Sequence, residues 1–269
     1  MAIVKGPIVF TGSLSNVSFY TRRGSDKVIV RTKGGASKAK IKSSPKFEGF
    51  RKQQKEWSAC AKFGSVTRYA FGGLHRIADY NLTPVLNGMG KNLMKLDKTT
   101  DIGQRNLFLT AYPQALEGFN FNRNYPFNTV LRVSPHWEFA RDKSEVIVQI
   151  PRINTETDIY NLQKLPYFRL IIAVGVVSDI TFNTTTNEYE PVMPLLHGIS
   201  ETTTGKWLPV QGIVPAHTLT VDISENEFSQ LNDHVTLILS MAIEFGQVGF
   251  TGEPVEVKYA GSGKVLASI

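Results

Sequence analysis

The stretch VTLILSMAIEF, residues 235–245, alternates with the two-residue period of a β-strand. Its odd-numbered side chains, from Val235 to Phe245, are all apolar and would share one face. Six other short runs after residue 127 have similar texture and are separated by Pro, Asn, Asp and Gly. They are NTVLRV (128–133), EVIVQI (145–150), RLIIAVGVV (169–177), NEYEPV (187–192), TLTVDI (218–223) and VEVKYA (255–260). About seven strands without intervening long helices predict an antiparallel β-sandwich over 127–269.

The preceding segment, residues 45–126, has helical periodicity in its first half. Ser44-Pro45 is a typical helix start, and apolar residues then recur at three-and-four spacing as far as Gly72-Gly73. The proposed inward face is Phe47, Phe50, Trp57, Cys60, Ala61 and Gly64. A second helix is predicted over 74–96, kinked or split at Pro84, so that the two form a helical hairpin. Residues 101–126 form a junction without a clear pattern.

The N-terminal segment, residues 1–44, combines strand-like runs with a high positive charge. VSFYT (17–21) and KVIVRT (27–32) flank a polar turn around Arg23-Gly24-Ser25-Asp26, which predicts a β-hairpin. ASKAKIKSS (36–44) then reads as a basic connector. Residues 21–46 hold nine Lys or Arg and one acid, Asp26. The whole chain is therefore predicted to be an α+β protein with an N-terminal arm.

Charge is distributed unevenly between the two halves of the chain. Residues 1–100 carry 19 Lys or Arg against 5 Asp or Glu, whereas residues 101–269 carry 11 against 18. This asymmetry indicates either a polyanionic partner or attraction between copies of the same chain. The N-terminus does not have the layout of a signal peptide, no apolar run is long enough for a membrane span, and Cys60 is the only cysteine. These features predict that the protein is located in the cytoplasm.

Residue patterns typical of catalysis or metal binding are weak. The five histidines (75, 136, 197, 217 and 234) lack metal-ligand spacing, and Cys60 falls on an apolar helix face. GSGK (261–264) departs from a phosphate loop because Val265 replaces Ser or Thr. Acidic loop residues of the sandwich (Asp222, Glu225, Glu227, Asp233) read as solvated, and Trp137 and Trp207 read as core rather than as a sugar-stacking platform. We therefore expect that the protein is not an enzyme and that it binds no cofactor or metal. No small-molecule substrate is evident from the sequence.

Several motifs of the first 122 residues occur together: Lys5-Gly6, the run from Gly12 to Tyr20, the turn from Lys33 to Gly35, the helix led by Pro45, DIGQRN (101–106) and LEGFNFN (116–122). In these motifs the chain resembles a family of uncharacterised proteins found in Bacteroidota. The resemblance implies kinship and a bacterial source, and it transfers no functional residues.

Two functions of the protein remain open. In the first, the protein is a non-enzymatic structural subunit that self-assembles into a homo-oligomeric particle or filament. Its basic arm would dock on the acidic sandwich of a neighbouring copy. The second is non-specific binding of nucleic acid. Both would use the same residues: Phe19, Tyr20, Arg22, Arg23, Lys27, Arg31, Lys33, Lys38, Lys40 and Lys42. A carbohydrate-binding module is a third and weaker alternative, and nothing favours a membrane partner.

Overall fold

The computed structural model describes residues 2–4, 11–22, 25–140, 144–224, 229 and 231–269. The chain divides into two compact units, Met1–Arg51 and Lys52–Ile269, and the predicted α+β class is confirmed. The three-segment division at 1–44, 45–126 and 127–269 stays a prediction. Among helices in the described part of the chain, none combines the length and apolar character needed to cross a bilayer.

The first unit contains a four-stranded antiparallel sheet and a short helix. The strands are β1 (Ala2–Val4), β2 (Gly12–Leu14), β3 (Val17–Thr21) and β4 (Val28–Thr32), and their spatial order is β1-β4-β3-β2. The predicted hairpin is confirmed as the β3–β4 pair, in which Phe19 lies opposite Val30. Its turn at Arg23-Gly24 lies outside the described residues. The predicted basic connector contains a helix that was not predicted, α1 (Lys38–Ser43). The Ser37 side chain caps this helix by accepting from the Lys40 N–H.

Helix α2 (Glu48–Ala70) follows a 3₁₀ turn at Pro45–Phe47, which confirms the predicted helix start at Pro45. The Ser44 side chain precedes this turn but makes no capping hydrogen bond. The predicted inward face was wrong in part, since Phe50 and Trp57 are about half exposed. The buried face is displaced and includes Glu56, Phe63 and Thr67 beside Cys60. A polar Glu at 56 is compatible with burial only because partners distant in sequence satisfy its carboxylate.

The second predicted helix is divided in the structure. A 3₁₀ turn covers Leu74–Ile77, and helix α3 begins only at Thr83 and runs to Met94. Pro84 occupies the first turn of α3, where its missing N–H would have had no partner anyway. The predicted split at Pro84 is therefore confirmed, and the proline starts the second helix rather than kinking a continuous one. The predicted strand at 128–133 was also wrong, because helix α4 (Phe127–Val130) follows Pro126 there.

Within the described residues, the remaining strands form four antiparallel sheets. The strands are β5 (His136–Ala140), β6 (Glu145–Ile150), β7 (Ile153–Asn154), β8 (Tyr167–Ser178), β9 (Ile180–Asn183), β10 (Glu188–Pro191), β11 (Ser200–Thr204), β12 (Leu208–Pro209), β13 (Ile213–Val214), β14 (His217–Asp222), β15 (Val235–Val248) and β16 (Pro254–Ser268). The largest sheet has the order β11-β8-β15-β16, with β12 also on β8, and a three-stranded sheet has the order β14-β6-β5. β9–β10 and β7–β13 are separate pairs.

The largest sheet is buried on both faces. From one face, Ile172 of β8 and Met241 of β15 share a core with Val148 of the three-stranded sheet. From the other face, Ala173 and Ala242 share a second core with α2, α3 and the segment after α3. Because both faces of β8 are covered, its sequence is a continuous apolar run rather than an alternating one. The predicted common face of Val235, Leu237, Leu239, Met241, Ile243 and Phe245 is confirmed.

The unassigned segment 101–126 completes the second core. It contains a 3₁₀ turn at Pro113–Ala115, and Leu107 pairs with Ile180 in an isolated antiparallel bridge. Further along, the Phe121 N–H donates to the Gly263 carbonyl. This irregular segment therefore supplies apolar side chains and also satisfies backbone groups at the outer edge of β16.

Candidate functional site

The arm residues predicted from sequence fall on three pieces of the first unit. Phe19 and Tyr20 lie on β3, Arg31 lies on β4, and Lys38, Lys40 and Lys42 lie on α1. Arg22 follows β3, Lys27 precedes β4 and Lys33 follows it. Arg23 lies outside the described residues. The sheet and the basic helix are thus separate elements of one unit.

The two faces of the arm sheet differ in character. Register places Phe19 and Val30 on one face and Tyr20 and Ile29 on the other. The Arg31 guanidinium lies 5.4 Å from the centre of the Tyr20 ring, a cation–π contact on the second face. The structure therefore brings together one predicted cation and one predicted aromatic residue.

The other predicted cations differ in their surroundings: Lys33 contacts the backbone, whereas Lys38 and Lys42 are exposed on α1. Lys33 donates from Nζ to the Ser15 carbonyl at 2.8 Å, which ties it to the β2–β3 turn. Lys38 and Lys42 are one helical turn apart on exposed α1, and like charges at this spacing repel each other. Neutralisation by an external negative charge would relieve that repulsion.

One cation of the first unit, Arg51, has a structural role that was missed from the sequence. The Arg51 Nη1 donates to the Ile41 carbonyl at 2.7 Å and to the Ser44 carbonyl at 2.9 Å. These carbonyls lie at the C-terminal end of α1, where the helix dipole favours a cation. A basic residue soon after a short helix was the available signal, but only the turn at Pro45 brings Arg51 back to it.

Burial within the first unit is slight. Among its described side chains from Thr11 to Arg51, only Val28 is buried. Leu14, on the outer strand β2, is 67% exposed. The described side chains of this sheet thus enclose very little apolar surface, and a small sheet of this kind is only marginally stable by itself.

The second unit contains no candidate metal site among its described residues. No group of His, Cys, Asp and Glu side chains there could hold a metal ion. Cys60 is fully buried, and burial raises the pKa of its thiol to about 11, so it is not activated as a nucleophile. GSGK lies within β16, paired with β15, and not between a strand and a helix. Glu225 and Glu227 lie outside the described residues.

The charged centre of the second unit is the buried Glu56. Its carboxylate accepts from Arg105 Nε and Nη2, both at 2.7 Å, from Lys91 Nζ at 2.5 Å and from the Gly103 N–H at 2.8 Å. Burial by itself raises the pKa of Glu56, but these hydrogen bonds outweigh it and lower the pKa to about 2. All of the donors belong to the fold, so the cluster fixes α2 against α3 and the following loop.

A second ionic network lies on the helix-facing side of the largest sheet. Glu244 accepts from Arg76 Nη2 at 2.6 Å and from Arg169 Nε at 2.9 Å, while Arg169 Nη2 also reaches Glu256 at 2.9 Å. The Arg169 guanidinium lies 4.4 Å from the centre of the Trp207 ring, which packs over Gly246. Trp207 is thus engaged within the fold, while Trp137 lies 40% exposed on β5 in a different sheet.

Comparisons with known proteins give no relative for this chain: no family model, no curated protein and no solved structure matches it.

Proposed function

We propose that this protein is a non-enzymatic structural subunit that self-assembles through its N-terminal arm into a homo-oligomeric particle or filament. The observation that carries the proposal is the near absence of buried side chains among the described residues of the first unit. Its four strands are three to five residues long, and Val28 is the only buried side chain among the described residues 11–51. A sheet of this kind gains most of its stability when a partner covers it.

The outer strand β2 supports a protein partner. Natural proteins protect exposed sheet edges with charged residues and prolines. Thr11 to Asn16 contain neither. Backbone N–H and C=O groups along such an edge can pair with another strand. The arm would then be held by backbone hydrogen bonds as well as by charge.

Charge supports a second copy of the chain as that partner. Residues 1–51 contain 11 Lys or Arg and 2 Asp or Glu, a net charge of +9. Residues 101–269 have the opposite sign, with 11 Lys or Arg against 18 Asp or Glu. Attraction between a basic arm and an acidic neighbour gives a head-to-tail contact, which generates rings or filaments.

The decisive experiment reverses the arm's charge in the full-length chain. We expect the Lys38→Glu/Lys40→Glu/Lys42→Glu variant to be a folded monomer, whereas the wild-type chain forms large particles. Size-exclusion chromatography with light scattering, together with negative-stain images, measures the difference. The matched control, Lys95→Glu/Lys98→Glu/Lys206→Glu, makes the same change of net charge at exposed sites of the second unit. A chain lacking residues 1–44 should also be monomeric. A monomeric wild-type protein, or particles unchanged by arm reversal, would contradict the proposal.

Binding of nucleic acid is the second candidate function, favoured by the Arg31–Tyr20 contact beside the basic helix α1. It predicts a high 260/280 absorbance ratio in the purified protein and binding to DNA or RNA that weakens steeply with salt. The same Lys-to-Glu reversal would abolish this binding without changing the oligomeric state.

We also propose that the strands of 127–269 form an antiparallel β-sandwich of about seven strands. The core that the two largest sheets share supports this. Kinship with the Bacteroidota family is supported by the motifs quoted above. The cytoplasm is the proposed location, supported by the single cysteine.

A further inference from the structure

The edge strand β16 contains a wide bulge that reorients one tyrosine. Gly261 pairs with Glu244 and Glu256 pairs with Gly246, so the four residues 257–260 face Phe245 alone. Tyr259 has a φ of +63° and its side chain is 62% exposed. A bulky side chain rarely adopts this backbone conformation, and such outliers cluster at functional sites. Bulges are also over-represented beside binding sites, where they redirect a side chain.

A small cavity of about 190 Å³ opens on one side of this bulge. Its rim carries Tyr259 together with Tyr125 and Tyr160, whose ring centres are 5.9 Å apart with an angle of 30° between their planes. A separation of 5.9 Å leaves no room for a third ring between them, so a ligand ring would pack beside the pair and not between its members. Tyr125 and Tyr160 remain 38% and 37% exposed.

The polar groups of the cavity are held in fixed positions. Asp79 accepts the backbone N–H groups of Arg123 and Asn124 and the Asn124 side-chain amide. Asn161 is fixed by two hydrogen bonds with the backbone of Leu165. Side chains that are already ordered lose little further entropy when a ligand binds. Gln163 adds another amide at the rim.

The chemistry of the cavity defines its ligand. No Lys, Arg or His is among the described residues that line it, so the lining supplies no counter-charge for an anion. The Lys258 Nζ lies 4.9 Å from the centre of the Tyr259 ring and belongs to the lining of the adjoining cavity. Amide and carboxylate groups beside tyrosine rings suit a ligand with hydroxyl groups around its edge and C–H groups on its face. The volume is below the 300–1,000 Å³ typical of drug-sized ligands, which favours a single ring.

We propose that the cavity between Tyr125, Tyr160 and Tyr259 binds an uncharged sugar ring. The ring's C–H face packs on the tyrosines and its hydroxyls bond to the fixed amides. A second cavity of about 480 Å³ lies on the other side of Tyr259 and includes Arg76 and Glu256. A neighbouring ring of the same saccharide would pass over Tyr259 into it. This site is independent of the N-terminal arm.

The test is saturation-transfer-difference NMR on the full-length protein with glucose, galactose, mannose, N-acetylglucosamine and their β- and α-linked tetrasaccharides, and with adenosine as the non-sugar ring. We expect at least one sugar to receive saturation, its tetrasaccharide to bind more tightly, and Tyr160→Ala to weaken binding at least tenfold. Tyr69→Ala, an exposed tyrosine of α2 outside the cavity, should change binding less than twofold.

A folding defect is separated from a binding defect by thermal melting, and Gln163→Ala provides a second variant at an exposed rim position. It should weaken sugar binding severalfold at an unchanged Tm. The proposal is overturned if no sugar in the panel receives saturation, if adenosine alone does, or if Tyr160→Ala and Gln163→Ala both bind sugar as the wild type does.

Discussion

At the scale of single residues, the buried Glu56 shows how far a helical pattern can mislead. Its neighbours along the chain are largely polar, so periodicity assigned the region around Trp57 to the core instead. In the structure Trp57 is 49% exposed and Glu56 is fully buried. The reversal arises because Arg105 and Lys91, 49 and 35 residues away in sequence, supply charge-assisted hydrogen bonds to Glu56.

Replacing Glu56 by Gln should destabilise the protein strongly. The substitution removes the negative charge but leaves Arg105 and Lys91 beside it, with 15% and 20% of their side chains exposed. Breaking one partner of a buried ion pair costs about 3–5 kcal/mol. Urea unfolding at pH 7 should therefore show a loss of about that size, whereas Glu117→Gln, at an exposed position, should stay within about 0.5 kcal/mol.

The same residue predicts a dependence on pH. Because the pKa of Glu56 is lowered from 4.5 to about 2 in the folded chain, its contribution is fully present above pH 4.5. It is lost as the pH falls through about 2. The contribution corresponds to about 3 kcal/mol. The difference in stability between wild type and Glu56→Gln should therefore shrink between pH 5 and pH 2, and a constant difference would contradict the assignment.

At the scale of elements, the contact between α2 and β8 depends on one glycine. A Cβ at Gly175 of β8 would overlap the backbone of Ala70 at the end of α2. Helix and sheet therefore meet by direct backbone contact at this point. The sequence offers only a glycine within an apolar run, which is also compatible with a bulge.

Gly175→Ala should cost about 3 kcal/mol or more, because backbone atoms cannot move aside as a flexible side chain can. Gly88→Ala provides a matched control in α3, where an added Cβ meets nothing within 4 Å. Since alanine is the better helix former, that variant should be stabilised by up to about 1 kcal/mol. Thermal or urea unfolding of both variants checks the pair, and equal effects would show that the close contact is absent.

At the scale of the whole molecule, stability should be concentrated in the largest sheet. β8 is paired on both sides and covered on both faces, while β5 and β14 are the outer strands of the three-stranded sheet. Amides of Ile171–Val177 should therefore exchange with solvent only through global unfolding, and those of β5 and β14 should exchange by smaller openings. Native-state hydrogen exchange measures this order. Equal protection across the two sheets would contradict it.

In the N-terminal arm, the sequence predicted the β-strands but not the helix or its contacts. Alternation from Val17 to Arg31 predicted the β3–β4 hairpin correctly, because cross-strand pairing depends on local pattern. The helix α1 was not predicted, since three lysines in seven residues resemble a solvated connector. The contact of Arg51 with the carbonyl end of α1 was not predicted either, because it depends on the turn at Pro45.

The sequence by itself determined the α+β class, the strands β6, β8, β14 and β15, the helix start at Pro45 and the uneven charge of the two halves. All of these depend on period, propensity or composition, which neighbouring residues carry. Only the tertiary structure decided that the helices cover the second face of the largest sheet, that Glu56 is buried and that Tyr259 stands between two cavities. Each of these depends on groups brought together from distant parts of the chain, where hydrogen bonding and packing override local preference.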